Sequence, residues 1–564
     1  MKRIWGIFWM IIAALGGRVV YDLIQFPSEA ESAVLLGLSR NKLILVGVVA
    51  VLSLIFLIGG ITALAGRQNA FSSGKLAGIL SHVTVFLMLA GYVLLNPPVG
   101  STALDTSLRE RLAPLLYWGM AFVILAAILL LIQEGKRIGQ FISVSWKALL
   151  AGILILAIFT GSLYYALQSG VGIDPSSRTF YRQGVSLLEG QILLPLLILY
   201  PFMFLYSLIA PKISGKKISV VFYCIAVLVV WGAAIYFWRT TEFVGRSYFA
   251  PALRAPNYNF YPASDAENYD LLAQSVLMGN GFRNGLTVVR PLYVAFLALL
   301  HFIFGNNYME LTNGQIVLLA LIPVAVFAIG KRLRSTPAGL LAAAWVIWRE
   351  VYSIRLTPYV QVSNSRLLLS DLPTTLAVAA LILCAVKWAR FEQKSVRAFL
   401  CGGLIGTAML IRTQCFVLIP ALWLLILCSG SSTSGKKARY LLLSLLGLAI
   451  VYVPWFVWGK IYPNTTVNPD TSEGQYLTSL YRDALEVEDP DMSVAAMIMK
   501  NPGKTFKAVS SHFLNNEISS LLLLPVRDLP ADKEKLFFDD DLFWYRENAR
   551  ETLEQNRVLI IVYL

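Results

Sequence analysis

The chain has 564 residues, of which 57% are hydrophobic and 14% are charged. A soluble domain has roughly 45–50% apolar and about 25% charged residues, so this composition excludes an ordinary water-soluble enzyme. The formal net charge of +14 would suit a nucleic-acid-binding protein, but basic loops beside membrane spans explain it better, and we expect no nucleic-acid partner.

Apolar runs of about 20 residues, enough for a helix to cross a hydrocarbon core of ~30 Å, recur over the first 460 residues. The first run begins near Ile4, and six more are predicted at about 43–65, 76–95, 113–132, 148–168, 187–209 and 218–238. With the N-terminus on the inner side, the basic residues between these spans lie inside, as the positive-inside bias requires. The long polar loop 239–288 is then outside.

The apolar stretch 288–304 decides the topology of the rest. Between Pro291 and Gly305 it offers only 13 residues, which is short for a crossing, and a crossing would turn three basic clusters between residues 331 and 439 outward. We therefore expect an interfacial helix on the outer surface. Six more spans are then predicted at about 313–330, 337–352, 371–389, 397–412, 414–428 and 440–459.

The predicted fold class is an all-α polytopic membrane protein with about 13 transmembrane helices. Residues 1–217 form a transmembrane appendage of unknown role, residues 218–460 a transmembrane core with an outer loop at 239–312, and residues 461–564 an outer polar segment. That segment holds 10 basic and 17 acidic residues. It ends in the apolar run 558–564, which resembles the start of another span, so we expect a truncated sequence or missing further spans.

The outer loop carries a group of acidic residues just before an amphipathic helical stretch. If the helix begins at Asp265, that residue shares a helix face with Tyr269, and Ser264 is an N-cap whose capping box is completed by Glu267. The acidic residues, including Asp270, either cap and solvate the helix or form part of a site. Spacing alone leaves both interpretations open.

Three charged residues elsewhere are predicted on the same outer side. Arg290 directly precedes Pro291, Arg412 lies in the hairpin between two short spans, and Asp371 begins a span. A charge between apolar helices is costly unless it reaches water or a partner, and the arginines either snorkel to the interface or bind an anion. Carboxylates and guanidinium groups thus converge on one membrane face, as a site for a sugar and a phosphate would require.

The remaining motifs indicate no catalytic or metal-binding site. The three histidines, His82, His301 and His512, are scattered, so their spacing supports neither a metalloprotease nor a Ser/His/Asp hydrolase. Gly402 and Gly406 form a GxxxG pattern, which in a membrane helix is ordinarily a packing face.

Several stretches occur in an ordered series: DAENYDLLAQSVLMGNGF, RPLYVAFLALLHFIFG, VFAIGKRL, LLSDLPTTLAVAALIL, GLIGTAMLIRTQCFVLIPALWLL and VPWFVWGKIYPNTT. This series resembles the successive signatures of GT-C glycosyltransferases of the family 39 type, which are related to protein O-mannosyltransferases and lipid A aminoarabinose transferases. The resemblance covers about residues 218–465. It implies a GT-C-like core with a catalytic aspartate in the first large outer loop, which maps onto Asp265. The family often has Asp-Glu where this chain has Asp265-Ala266, and Glu267 comes one place late.

The resemblance implies transfer of a sugar from a polyprenyl-phosphate donor to a hydroxyl of a protein, lipid or glycan. Asp265 would be the base, and Arg412, with Arg290, would contact the donor phosphate. Asp371 would orient sugar hydroxyls or an arginine, and Glu267 and Tyr269 would complete the substrate-binding site. No cofactor is identified, and a requirement for a divalent cation stays open.

The expected location is the cell membrane, among its lipids, with the site on the outer face. A transporter or flippase of lipid-linked sugars remains an alternative, but such proteins need polar groups at mid-depth and the predicted spans hold almost none. A polymerase or ligase of surface polysaccharide is a second alternative, because it would share the substrates.

Overall fold

The computed structural model describes residues 2–25, 33–35, 38–67, 70–72, 74–95, 106–133, 216–243, 249–250, 258, 260–282, 290–355, 357, 363–390, 393–429, 433–462, 494–507 and 510, with isolated positions between 150 and 168 and at 199. The chain divides into two compact units. The first is Met1–Gly161 with Ile192–Ile209, and the second is Ser162–Gln191 with Ala210–Leu564.

The first unit contains four long helices, α1 Lys2–Gln25, α2 Arg40–Leu64, α3 Gly74–Leu95 and α4 Thr106–Gln133. A two-stranded antiparallel ribbon, β1 Ala33–Leu35 and β2 Leu38–Ser39, joins α1 to α2, and a 3₁₀ turn, Ala70–Ser72, precedes α3.

Aromatic side chains fill the core of the first unit. Trp5, Phe8 and Trp9 of α1 are buried, and the ring centroid of Phe122 from α4 lies 5.5 Å from that of Phe8. Because aromatic side chains bury large areas, this cluster packs α1 against α4.

Eleven helices of the second unit have defined bounds among the described residues. In chain order they are α5 Lys216–Thr240, α6 Asp265–Ser275, α7 Pro291–Phe304, α8 Tyr308–Leu319, α9 Leu321–Leu333, α10 Thr336–Arg355, α11 Asp371–Arg390, α12 Ser395–Ile411, α13 Leu418–Leu427, α14 Ser434–Ile461 and α15 Val494–Lys500. A π-helical turn, Val276–Asn280, extends α6, and a 3₁₀ turn, Thr413–Val417, precedes α13.

Most predicted spans coincide with these helices, and 148–168 and 187–209 lie largely outside the described residues. Six segments of the described chain are long and apolar enough to cross a membrane: Arg3–Gln25, Arg40–Leu64, Val220–Thr240, Tyr308–Leu333, Asp371–Arg390 and Ser434–Ile461. The chain is therefore a multi-pass helical membrane protein. The predicted number of 13 spans is not confirmed.

The predicted span 313–330 is interrupted once. Helices α8 and α9 meet at Ala320, where ψ is −11°. Pro323, three residues on, has no N–H to bond the carbonyl of Leu319, and its ring crowds that carbonyl. The proline thus explains why the helix breaks between α8 and α9.

The predicted packing face of α12 is confirmed. A Cβ on Gly402 would overlap the Ser444 carbonyl oxygen of α14, and a Cβ on Gly447 would overlap the Phe399 carbonyl oxygen of α12. Glycine at both positions lets the two backbones touch, which is how small residues pack helices in membranes.

Candidate functional site

Helix α6 begins at Asp265, as predicted. The predicted capping box was wrong, because Ser264 has a φ of 57° and its side chain makes no capping hydrogen bond. Asp265 and Glu267 are both exposed on the first turn. Acidic side chains there are stabilised by the partial positive charge of the helix N-terminus.

Tyr269 lies one turn after Asp265, and its ring is buried between charged and aromatic neighbours. The guanidinium carbon of Arg290 lies 4.8 Å from the ring centroid, and the ring of Tyr293 makes an edge contact at 5.6 Å. Such a cation over an aromatic face is attracted by the ring's negative face. Tyr269 therefore fixes the position of the Arg290 guanidinium.

The pKa of Tyr269 is raised to about 12. Burial is the main cause; Arg290 opposes it, the negative charge of Asp265 adds to it, and Arg412 also opposes it. Tyr269 is therefore a neutral phenol at physiological pH. Asp265 is one turn before this phenol on the same helix, and Arg290 contacts its ring.

Arg290 also reaches the start of α11. It is the residue before α7, and its Nη1 donates a hydrogen bond of 2.8 Å to Oγ of Ser370. Ser370 is fully buried and immediately precedes Asp371. The N-termini of α7 and α11 are thereby held side by side.

Arg412 and Asp371 form an ion pair in which the arginine Nη1 donates to Oδ1 of Asp371. Arg412 directly follows α12, and its backbone N–H closes that helix on the Ala408 carbonyl oxygen at 2.7 Å. Both side chains keep part of their surface open to solvent, 26% for Arg412 and 39% for Asp371. The pair is thus accessible to an anionic substrate and contributes little to folding stability.

The chain before α11 is held in place by buried polar contacts. The side-chain amide of Gln315 on α8 donates to the carbonyl oxygens of Ser365 at 3.1 Å and Leu367 at 2.9 Å. Arg366 donates through Nε to the carbonyl oxygen of Trp238 at 3.2 Å. These bonds satisfy buried backbone groups that no helix satisfies, and they place Ser370 and Asp371 rigidly.

The structure joins four of the six sequence-predicted site residues directly: Tyr269 to Arg290, and Asp371 to Arg412. Asp265 lies close to Tyr269, and its carboxylate has no hydrogen-bond or ion-pair partner among the described residues. Glu267 is exposed, and among the described residues it has no hydrogen bond or ion pair with the other five.

Sequence reasoning missed the role of Asp270. Its side chain is 4% exposed, and its carboxylate accepts hydrogen bonds from Tyr308 at 2.6 Å, Gln274 at 2.8 Å and the His301 ring at 2.7 Å. It is therefore neither a solvated acid nor a cap. A signal was present, since Asp270 is four residues after the buried Ala266 and so lies on the core-facing side of α6.

The described residues contain no group of three or more histidine, cysteine, aspartate or glutamate side chains that could hold a metal ion.

The fold and the site define a class: a multi-pass helical membrane protein in which arginines and carboxylates from adjoining helix ends form a polar, solvent-accessible cluster. Residues 289–458 match the family model described as dolichyl-phosphate-mannose-protein mannosyltransferase. The resemblance to GT-C glycosyltransferases of the family 39 type is thereby confirmed for this segment, and it indicates a membrane glycosyltransferase.

The match spans less than a third of the chain. It includes Arg290, Asp371 and Arg412 but begins after Asp265, Glu267 and Tyr269. No curated protein and no solved structure matches the chain.

Proposed function

We propose that this protein transfers a sugar from a polyprenyl-phosphate donor to an acceptor hydroxyl at the outer face of the membrane. The proposal depends on one observation: Arg290, Arg412 and Asp371 lie at neighbouring helix ends. Arg290 contacts Tyr269 and Ser370, and Asp371, which follows Ser370, pairs with Arg412. Two guanidinium groups at a solvent-accessible position within an apolar helix bundle suit a lipid-linked phosphate.

In the proposed reaction the bond between the anomeric carbon and the phosphate oxygen breaks, and its electron pair leaves with the polyprenyl phosphate. Arg412 and Arg290 stabilise the charge that develops on the leaving phosphate. Asp371 holds the Arg412 guanidinium in the orientation for this contact, so its role is positioning.

The acceptor oxygen forms the new bond to the anomeric carbon, and its proton passes to the carboxylate of Asp265. The exposed position of Asp265 at the start of α6, with no partner among the described residues, supports this role because a general base needs an available carboxylate. The proposed base lies on the same helix as Tyr269, which contacts Arg290.

The test is release of polyprenyl phosphate by the purified protein in lipid nanodiscs. Mannosyl, glucosyl and aminoarabinosyl polyprenyl phosphates are supplied in turn, with mannose first because the matched family is described by it. Mass spectrometry of the lipid measures the leaving group whatever the acceptor is. The proposal requires polyprenyl phosphate to accumulate with one donor in the presence of an acceptor-containing membrane extract.

The two alternatives give different lipid products. A flippase would move the donor across a vesicle bilayer without releasing polyprenyl phosphate. A polysaccharide polymerase or ligase acting on diphosphate-linked chains would release polyprenyl diphosphate. Either result, with no monophosphate from any donor, would overturn the proposed transfer.

A further inference from the structure

Asp270 carries a buried negative charge that the proposed reaction does not use. Three donors surround its carboxylate: the Tyr308 hydroxyl, the Gln274 amide and the His301 ring. A buried carboxylate is costly unless it is paired and hydrogen-bonded, and these three donors supply those bonds.

The protonation of His301 follows from its other partner. Its Nδ1 lies 3.0 Å from the carbonyl oxygen of Gly305, which can only accept, so Nδ1 carries a proton. Its Nε2 lies 2.7 Å from Oδ1 of the Asp270 carboxylate and must also carry a proton. With acceptors at both nitrogens, His301 is an imidazolium and the two residues form a buried ion pair.

This ion pair connects the helices that build the proposed site. Asp270 is on α6, next to Tyr269 and in the same short helix as Asp265. His301 is on α7, the helix that starts directly after Arg290. Tyr308, which donates to the same carboxylate, is the first residue of α8.

We propose that the Asp270–His301 ion pair is a positioning device that holds the acidic helix α6 against α7, so that transfer requires protonated His301. The inference rests on the proposed function. Loss of a ring proton would remove the positive charge of His301 and leave a nitrogen lone pair facing either the Asp270 carboxylate or the Gly305 carbonyl oxygen, so the attachment of α6 to α7 would weaken. Asp265 would then lose its alignment with Arg290.

Burial alone would lower the pKa of His301, but the hydrogen bond and negative charge of Asp270 outweigh it, helped by bonds to Gly305 and Asn306. The pKa of His301 is therefore raised above its ordinary value of 6.5. Because the folded state binds this proton more tightly, the stabilisation is complete below the ordinary pKa and is lost as the pH rises through the raised pKa.

No other charged group of the described residues reaches the imidazole. The Tyr308 ring makes an edge contact with it, at 6.0 Å between centroids. The remaining charged groups on or beside the helices packed against α7 are exposed or bonded elsewhere: Asp265, Glu267, Glu310, Arg397 and Arg412.

The first test reads the protonation state without using activity. Replacing the other two histidines (His82→Gln and His512→Gln) leaves His301 as the only imidazole among the three histidines of the chain. Solid-state ¹⁵N NMR of histidine-labelled protein in lipid, recorded over a series of pH values, should then show His301 losing its second ring proton with a midpoint above pH 6.5. Adding Asp270→Asn should lower that midpoint. A midpoint at or below pH 6.5 in the protein that lacks only His82 and His512 would overturn the proposal.

The second test measures transfer between pH 6 and 10. The unsubstituted protein should lose kcat on the alkaline side, with a midpoint above pH 6.5. His301→Gln, which can donate one N–H to Asp270 at every pH, should lower kcat by about 10-fold, remove the alkaline loss and leave the donor KM unchanged. An alkaline loss that survives in His301→Gln would refute the positioning role. Absence of transfer at every pH would instead contradict the proposed function, and the NMR result would still decide the state of the ion pair.

Discussion

The arginine that ends α12 is the residue on which the proposed chemistry depends most. Arg412→Ala should lower kcat about 10²-fold, because a charge-assisted contact to the leaving phosphate is lost. The kcat of Arg412→Lys should lie between those of the unsubstituted protein and Arg412→Ala. Lysine keeps the charge but loses the two-pronged guanidinium geometry. The measurement is polyprenyl phosphate release at matched protein concentration.

Asp371→Asn is the control for this prediction, because it removes the ion-pair partner and leaves Arg412 in place. Its kcat should fall less than that of Arg412→Ala. Full turnover by the alanine variant would remove Arg412 from the site.

Asp265 is the proposed base, and its neighbours are matched controls on the same helix. Asp265→Asn keeps the size and removes the basicity, so a folded and inserted protein with at least ~10²-fold lower kcat is expected. Glu267 is exposed two residues later on the same helix, and Glu267→Gln should change kcat little. If Glu267→Gln is inactive while Asp265→Asn turns over normally, the base is Glu267.

At the residue scale, the sequence indicates which residues could form the proposed site, but it does not indicate which residues they contact. Arg290 and Arg412 were predicted from the cost of charge beside apolar spans, and both acquire partners in the structure. The partner of Arg290, Ser370, is 80 residues away along the chain. Contacts that join such distant positions depend on helix packing, which local spacing does not encode.

Helix α7 is the element on which the predicted topology rests. Its 14 residues span about 21 Å, well short of a ~30 Å hydrocarbon core. We expect it to lie along the outer surface. In a background without native cysteines, Asn306→Cys should react with an impermeant thiol reagent in intact cells, and Ser335→Cys only after permeabilisation.

Asn306 is chosen because the adjacent Gly305 has a φ of 62°, where a cysteine would be strained. Labelling of Ser335→Cys but not Asn306→Cys in intact cells would mean that α7 crosses the membrane. The positive-inside argument for the second half of the chain would then fail.

The close contact between α12 and α14 predicts that replacing a glycine in it lowers stability. A glycine outside the contact serves as the control for helix propensity. Gly402→Ala places a methyl group onto the Ser444 carbonyl oxygen and should destabilise the fold by about 1–3 kcal/mol. Gly232→Ala on α5 meets no atom within 4 Å and should be neutral or slightly stabilising. Thermal unfolding in detergent compares the two, and equal midpoints would contradict the close backbone contact.

The positions of the helices follow from the apolar runs in the sequence, and most of the described helices agree with the predicted spans. Capping and the burial of single polar side chains do not follow from these runs. The capping box at Ser264 required an extended backbone, whereas the residue has a positive φ. Asp270 was not recognised as buried, because a single carboxylate on a helix is ordinarily solvated and two of its three partners, His301 and Tyr308, lie on later helices.

For the whole molecule, the proposed site belongs to the second unit alone. The first unit has its own aromatic core, and the residues named for the proposed site are all in the second unit. The family match begins at residue 289, so it too leaves the first unit without an assigned activity. We therefore propose no catalytic role for residues 1–217.

The meeting of helix ends from distant parts of the chain has a consequence for biosynthesis. Asp265 and Arg290 leave the ribosome well before Asp371, and Arg412 follows only after α12 has been synthesised. In a nascent chain that has inserted only as far as α11, Asp371 is present but its ion-pair partner Arg412 is not. Under the proposed function, the pair of arginines for the donor phosphate is therefore complete only late in membrane insertion, once α12 is in place.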